Sequence, residues 1–382
     1  MNKKRKICVT TGARSEYGIL RPVLLDIKKS KKLELQLIVS GMHLSKKYGL
    51  TINEIKKDGF KIYGTIKMAP TGDSSYHMSK SLGEGIIKFS EVFKKLKPDI
   101  NLILGDRDEA FASALAASHM NIPNAHIHGG DKSKAGIDEY NRHAITKISN
   151  IHFTATKKST LRVKRMGEDP KYIFCTGSPS IDEVVNNKIT KIDELKKKYG
   201  NEIIDNEILL VQHSVTTEID DVENQINETL KAITKLQKKT VIIGANIDSG
   251  NQIIYKKIKQ IINKHDFIHF YPTLPRNDFL GLLQNCKVLV GNSSSGIIEA
   301  SFFKKPVVNI GIRQKFREKG PNVIDVKAFT QKSISNAIEI ALKSKKLKQS
   351  SIYGKGHAAK KIIKHLEEIK LNTKLLQKQI TY

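Results

Sequence analysis

The stretch "INLILGDRDEAFASALAAS", Ile100 to Ser118, passes from a short aliphatic run through a glycine and a charged cluster into an alanine-rich run. Branched aliphatic residues suit a pleated strand, and alanine is the best helix former. A strand that feeds directly into a helix is half of a βαβ unit. Repeated, it builds a parallel sheet covered by helices. Ligands of such sheets bind beyond the carboxyl ends of the strands. Asp106 and Arg107, just past the aliphatic run, are therefore the first candidates for function. Asp108 is the better-placed cap for the helix, which leaves Asp106 to point toward a ligand.

Outward from this unit the same alternation recurs. Strand-like runs fall at 6–12, 33–41, 61–67, 124–130 and 151–156, with helix-like segments near 17–30, 50–58, 79–96, 138–149 and 157–167. "YIFCTGSPS" (172–180) reads as a crossing between domains. A second series then begins at 207–214, 240–247, 266–272, 287–292 and 306–311, followed by lysine-rich helices at 331–344 and about 355–378. The expectation is an α/β protein of two Rossmann-like domains facing each other across a cleft, 1–180 and 181–382.

The chain of 382 residues carries a net charge of +28. Its lysines are spread along helix-like segments such as "DIKKSKK" and "DELKKKY", where they form solvated faces. Aromatics are sparse and no nucleic-acid motif is present, so a nucleic-acid partner is not expected. No run reaches the ~18 apolar residues of a membrane helix, and the basic start leads straight into a strand rather than a signal peptide. Cys8, Cys175 and Cys286 lie far apart in apolar runs and read as buried thiols of a cytoplasmic protein.

The strand ends carry the chemistry. After the first strand, "TGARSEYGIL" sets Gly12 in a turn and Arg14 at the loop, without a dinucleotide fingerprint or a P-loop. "HIHGGDKSKAGIDEYNRHAITK" (126–147) places His126 and His128 on one strand face, then Gly129-Gly130, then Asp131 at the strand end. Asp138 is expected to cap the following helix, with Ile137 as its staple and Arg142 four residues on. A metal reading of His126, His128 and Asp131 finds no further ligand cluster. In the second half His213 ends a strand in "VQHSVTTE", and Asn246 and Asp248 follow the next one in "GANIDSG". "GNSSSGIIEA" is the most telling: Ser293, Ser294, Ser295 and Gly296 form a small-residue loop suited to phosphate oxygens, with Glu299 placed for ribose hydroxyls. Arg313 and Arg317 follow near the same end. One domain thus offers carboxylates and the other a phosphate cradle with a histidine, as a nucleotide-sugar enzyme requires. A glycosyltransferase would share the cradle without needing three acids.

In this order, "TGARSEYG", "LGDRDEA", "HIHGGD…IDEYNRHAITK", "HSVTTE", "GANIDSG", "LPRNDFLGLL", "GNSSSGIIEA" and "NIGIRQK" resemble the hydrolysing UDP-N-acetylglucosamine 2-epimerases, in particular the branch serving sialic-acid-type nonulosonate synthesis. The resemblance implies a glycosyltransferase-B-like fold, a homodimer, and chemistry needing neither nicotinamide nor metal. It implies loss of nucleoside diphosphate from C1 as the C2 proton departs, then hydration of the 2-acetamidoglucal, giving N-acetylmannosamine and UDP. By position, Asp106, Asp131 and Asp138 match the catalytic acids and His213 the histidine at the diphosphate. Arg14, Arg107, Asn246, Ser293, Ser294, Glu299 and Arg313 match nucleotide or diphosphate contacts. Three departures stand out. Asp131 replaces a frequent Glu, which marks as an alternative a UDP- or GDP-linked 2,4-diacetamido-6-deoxy sugar for legionaminic acid. Ser301 and Phe303 break a common "EAPSFG" continuation, and Phe316 stands for a frequent glycine.

Overall fold

Aliphatic runs buried on both faces become the parallel strands of two sheets in the computed structural model, which describes residues 3–46, 49–68, 72, 74–134, 136–186, 189–204, 206–245, 249–344 and 347–382. The first sheet comprises β1 (Arg5–Thr11), β2 (Leu33–Ser40), β3 (Ile62–Ile66), β4 (Ile100–Leu104), β5 (Asn124–Ile127), β6 (Ile151–Thr154) and β7 (Ile173–Cys175). Their order is β3-β2-β1-β4-β5-β6-β7. The order reverses between β1 and β4, where Ile7 pairs with Ile100. The loops carrying Arg14 and Asp106 leave from that reversal, the position at which doubly wound sheets hold ligands.

The second sheet comprises β8 (Ile208–Val211), β9 (Thr240–Ile243), β10 (Ile268–Tyr271), β11 (Val288–Gly291), β12 (Val307–Ile310) and β13 (Val323–Val326), in the order β10-β9-β8-β11-β12-β13. Its reversal lies between β8 and β11, with Val211 opposite Gly291. His213 and Ser293 follow those two strands. The strand β13 is absent from the sequence-based expectation: "VIDV" is a half-buried edge strand interrupted by Asp325.

The chain divides differently from the expected 1–180 and 181–382. One unit holds residues 1–131, 138–186 and 353–382; the other holds 132–137 and 187–352. Residues 172–180 are not the crossing. They form β7 and enter the helix Pro179–Asn186, both in the first unit. The helix Ala358–Glu368 also belongs to the first unit, because Ala359, Ile362, Ile363 and Leu366 bury among Leu20, Leu24 and Ile27 in its core. Asp182 fixes its start by accepting from the backbone N–H of Ala358 and Ala359 at 2.9 and 2.7 Å. Cys8 and Cys286 are buried as expected, whereas Cys175 is exposed at the edge strand.

Candidate active site

In the first unit Gly105 turns the chain out of β4 with φ 73°, a region glycine enters without strain. Its carbonyl accepts from His126 Nε2 at 2.7 Å, and Thr146 Oγ1 lies 3.2 Å from Nδ1. Burial pushes the His126 imidazole down to about 3, so it is neutral and supports the Gly105 turn. It does not share a face with His128. The strand ends at Ile127, and His128 turns onto Asp131 and Ser178 instead. Among the described residues no group of three or more His, Cys, Asp or Glu is placed to hold a metal.

Past that turn, Asp106 meets Arg142. The guanidinium is 2 % exposed, donates from Nη2 to the Asp106 carboxylate, and reaches Glu139 Oε2 at 2.5 Å. It also reaches the Asp131 carbonyl at 3.4 Å. Burial alone would lower the pKa of Arg142, but the charges of Asp106, Glu139 and Asp131 outweigh it and raise it. A fixed cation therefore joins the carboxylate that follows β4 to one in the first turn of the helix Ile137–Ile148. Asp131 itself is 4 % exposed, with one oxygen 2.9 Å from His128 Nδ1 and the other accepting from Ser159 at 2.8 Å.

Two expected caps are corrected. The helix Asp108–His119 has Arg107 at its cap position, and Asp108 instead accepts from Asn141 at 2.9 Å. The other helix starts at Ile137, so Asp138 lies within its first turn, and Ile137 is 38 % exposed rather than a buried staple. Asp108 is the first residue of its helix and Asp138 the second of its own, so neither stands at a cap position.

Arg14 opens the helix Arg14–Lys29 and lies 3.2 Å from Glu54. Arg107 Nε lies 3.3 Å from Glu109. Glu16, which the reading of the sequence did not single out, accepts from Gly12 and Ala13 N–H at 2.9 and 3.1 Å. Burial pushes its carboxyl well above the usual range, partly offset by the nearby Arg107.

In the second unit, Gly291 ends β11 at φ 122°, and a side chain there would meet Val211 O at 2.1 Å. The close approach brings Asn292 against His213. Asn292 Oδ1 accepts from His213 N–H at 2.7 Å and its Nδ2 donates to His213 O at 2.8 Å. Asn292 O in turn accepts from Gln314 at 2.9 Å and from Arg313 at 3.4 Å. The loop is thus a small built unit of His213, Asn292, Arg313 and Gln314; Asn292 and Gln314 were missed because an amide after a strand has no signature until its partner is known. Ser294–Gly296 form a 3-10 turn in which Ser295 N–H is held by Ser293 Oγ at 3.3 Å. Ser293, Ser294 and Ser295 are half-buried. Glu299 opens the short helix Glu299–Phe302, is 2 % exposed, and pairs with Arg276, also not singled out earlier. Asn246 and Asp248 lie outside the described residues. Phe316 holds φ 73°, in the left-handed region that glycine adopts freely.

Known structures share this architecture. A crystal structure of the Methanocaldococcus jannaschii UDP-GlcNAc 2-epimerase, in complex with UDP-GlcNAc and UDP, superposes with a TM-score of 0.82 at 21 % identity, covering 94 % of this chain and 99 % of that one. A Neisseria meningitidis UDP-GlcNAc 2-epimerase bound to UDP-GlcNAc gives 0.78 at 20 % identity, covering 94 % and 99 %. The fold is the glycosyltransferase-B-like one of two parallel α/β sheets, here of 7 and 6 strands. The chain belongs to the UDP-N-acetylglucosamine 2-epimerase family, whose profile matches residues 25–367. It is 39 % identical to the UDP-N,N′-diacetylbacillosamine 2-epimerase (hydrolyzing) of Legionella pneumophila over 99 % of this chain and 100 % of that protein. It is 37 % identical to the polysialic acid biosynthesis protein P7 of Escherichia coli, over 84 % and 82 %. To the UDP-N-acetylglucosamine 2-epimerase of Neisseria meningitidis it is 32 % identical, over 92 % and 91 %. Among the described residues no helix is long and apolar enough to cross a membrane.

Proposed function

We propose that this protein is a hydrolysing 2-epimerase of a UDP-linked 2-acetamido sugar, with UDP-N,N′-diacetylbacillosamine as its substrate and a manno-configured 2,4-diacetamido sugar and UDP as products. The observation that carries the reaction type is the grouping around Arg142, in the first unit, of Asp106 past β4, Glu139 on the helix Ile137–Ile148 and the backbone of Asp131. Support for the sugar comes from the Legionella relative, matched at 39 % identity along its whole length. The short Asp131 side chain, where a longer Glu is frequent, agrees with a pocket reshaped for a bulkier C4 substituent; ~1 Å at an acid changes rates greatly.

The C2 proton is not acidic. It becomes removable as the C1–O bond breaks and positive charge builds on the ring, so carboxylates that face C1 and C2 stabilise that charge and accept the proton. Electrons of the C1–O bond leave with UDP, and those of the C2–H bond form the C1–C2 double bond. Water then adds its oxygen to C1 and gives up one proton to a carboxylate, while a carboxylic acid returns a proton to C2 from the opposite face. Two acid–base groups on two faces are needed, and Asp106, Asp131 and Asp138 are the assigned acids. His213, Arg313 and the serines 293–295, with Asn246, Asp248, Gly296 and Glu299, are assigned to the departing nucleotide, where hydrogen bonds lower the cost of the leaving diphosphate. Arg14 and Arg107 are assigned to the same anion.

A second reading keeps the reaction and changes the sugar to UDP-N-acetylglucosamine, favoured by the Neisseria relative. Both are tested by incubating the protein in D₂O with each sugar nucleotide, including the GDP-linked diacetamido sugar, and following the products by NMR. The proposal expects UDP release with deuterium at C2 of the 2,4-diacetamido sugar at the highest kcat/KM. Faster turnover of UDP-N-acetylglucosamine selects the second reading, and sugar transfer without C2 exchange overturns both.

A further inference from the structure

His128, just past β5, holds φ 69°, a left-handed conformation that side-chain-bearing residues seldom adopt. Its backbone N–H still donates to Phe153 O at 3.0 Å, so sheet pairing continues while the side chain leaves the strand's alternation. The imidazole so placed lies between two side chains, Asp131 Oδ2 at 2.9 Å from Nδ1 and Ser178 Oγ at 2.8 Å from Nε2. His128, Asp131, Ser159 and Ser178 are all buried. Strain of this kind persists where the surroundings over-determine it, which turns attention to what the imidazole does.

Ser178 Oγ accepts from Ser180 N–H at 3.2 Å, which leaves its own hydrogen available to donate to Nε2. Ser159 Oγ accepts from Thr156 Oγ1 at 3.0 Å and gives its hydrogen to Asp131 Oδ1 at 2.8 Å. An imidazole that accepts at Nε2 carries its proton on Nδ1, where it donates to Asp131 Oδ2. The loop bearing Ser178 is itself pinned, since Ser178 N–H donates to Tyr353 O at 2.8 Å. Nothing in helix or strand packing demands this order of donors and acceptors.

We propose that His128, locked by Ser178 as the Nδ1–H tautomer, is the positioning residue of Asp131: it fixes the orientation of the carboxylate and keeps it an acceptor between turnovers. The role rests on the reading of Asp131 as an acid of the 2-epimerase reaction. Both ring nitrogens of His128 are engaged by Asp131 and Ser178, so the role assigned to it acts through Asp131.

Two measurements on the full chain test it. In steady-state kinetics, His128→Asn keeps an amide N–H within reach of Asp131 and tolerates the left-handed backbone, so kcat falls no more than about 10-fold; His128→Ala loses about 100-fold in kcat, with KM within about 3-fold. Equal losses in the two variants, or a change confined to KM, overturn the proposal. Independently of turnover, ¹⁵N-histidine NMR reads the tautomer, the His128 signals being those missing from His128→Asn. The expectation is Nδ1–H in the parent protein and a changed tautomer ratio in Ser178→Ala; an Nε2–H imidazole overturns it. If none of the sugar nucleotides turns over, the functional reading falls while the NMR still decides the tautomer.

Discussion

Asn292 grips His213 from both sides of its peptide backbone, accepting from the N–H at 2.7 Å and donating to the carbonyl at 2.8 Å. Both residues are buried, and Asn292 also receives Gln314 and Arg313 on its own carbonyl. The loop after β8 is therefore held in place by the loop after β11, the two strands that flank the reversal of the second sheet.

If His213 contacts the diphosphate, Asn292→Ala releases its loop and strands two buried backbone groups, at about 1–3 kcal/mol each. UDP affinity measured by calorimetry should fall about 10-fold or more. Unchanged affinity would show that His213 takes no part in holding the nucleotide.

Asp106→Asn and Asp131→Asn each remove a carboxylate that the proposed proton transfers use. Turnover should drop by about 100-fold to 10,000-fold while UDP binding survives. Ser294→Ala should do the reverse, costing about 1 kcal/mol of UDP binding, roughly 5-fold, with a small change in kcat. If the two sets of variants respond alike, the division of roles between the two units is wrong.

Arg142 links Asp106 and Glu139 at 2 % exposure. Arg142→Met leaves these carboxylates without their cation, and breaking a buried pair costs about 3–5 kcal/mol. Urea denaturation should show a loss of that order. A stable variant would mean that water reaches the carboxylates and screens them.

Acid should loosen the C-terminal segment. Glu168 Oε2 accepts from His152 at 3.2 Å and from Lys378 at 2.6 Å, and its Oε1 lies 2.7 Å from Lys147 Nζ as an ion pair. Burial pushes its carboxyl up, but these hydrogen bonds outweigh that and hold it down to about 2. A depressed folded value means the stabilisation is fully present above the ordinary glutamate range near ~4.3 and is lost as pH falls from there toward 2. Melting temperatures recorded between pH 7 and 2.5 should therefore fall more steeply for the parent protein than for Glu168→Gln. Parallel curves would remove Glu168 from the acid response.

Much of the fold was legible because burial on both faces leaves an unmistakable trace. Runs such as "ILLV" and "VVNI" are dominated by branched aliphatics and have too little polar surface for solvent, so the middle of a helix-covered parallel sheet accommodates them. The polar residues that follow each run were legible for the same reason, since the carboxyl ends of such strands are where the chain is free to turn. Two of the edge strands were not. β7 and β13 are only partly buried, and their patterns match those of loops.

What the sequence by itself determined about this protein is the βα alternation, the polar loops just beyond the strand ends and the family to which their residues belong. Only the tertiary structure decided who partners whom. The apolar stripe on Ala358–Glu368 requires some neighbour, and its burial beside Leu20 and Leu24 rather than in the second unit is a contact across more than three hundred residues. Likewise Arg142 reads in the sequence only as the residue four on from Asp138, until the chain brings it to Asp106 and Glu139. Periodicity records whether a side chain needs burial or solvent; it carries no information on which distant group supplies the opposite charge, because that depends on distances set by the whole sheet.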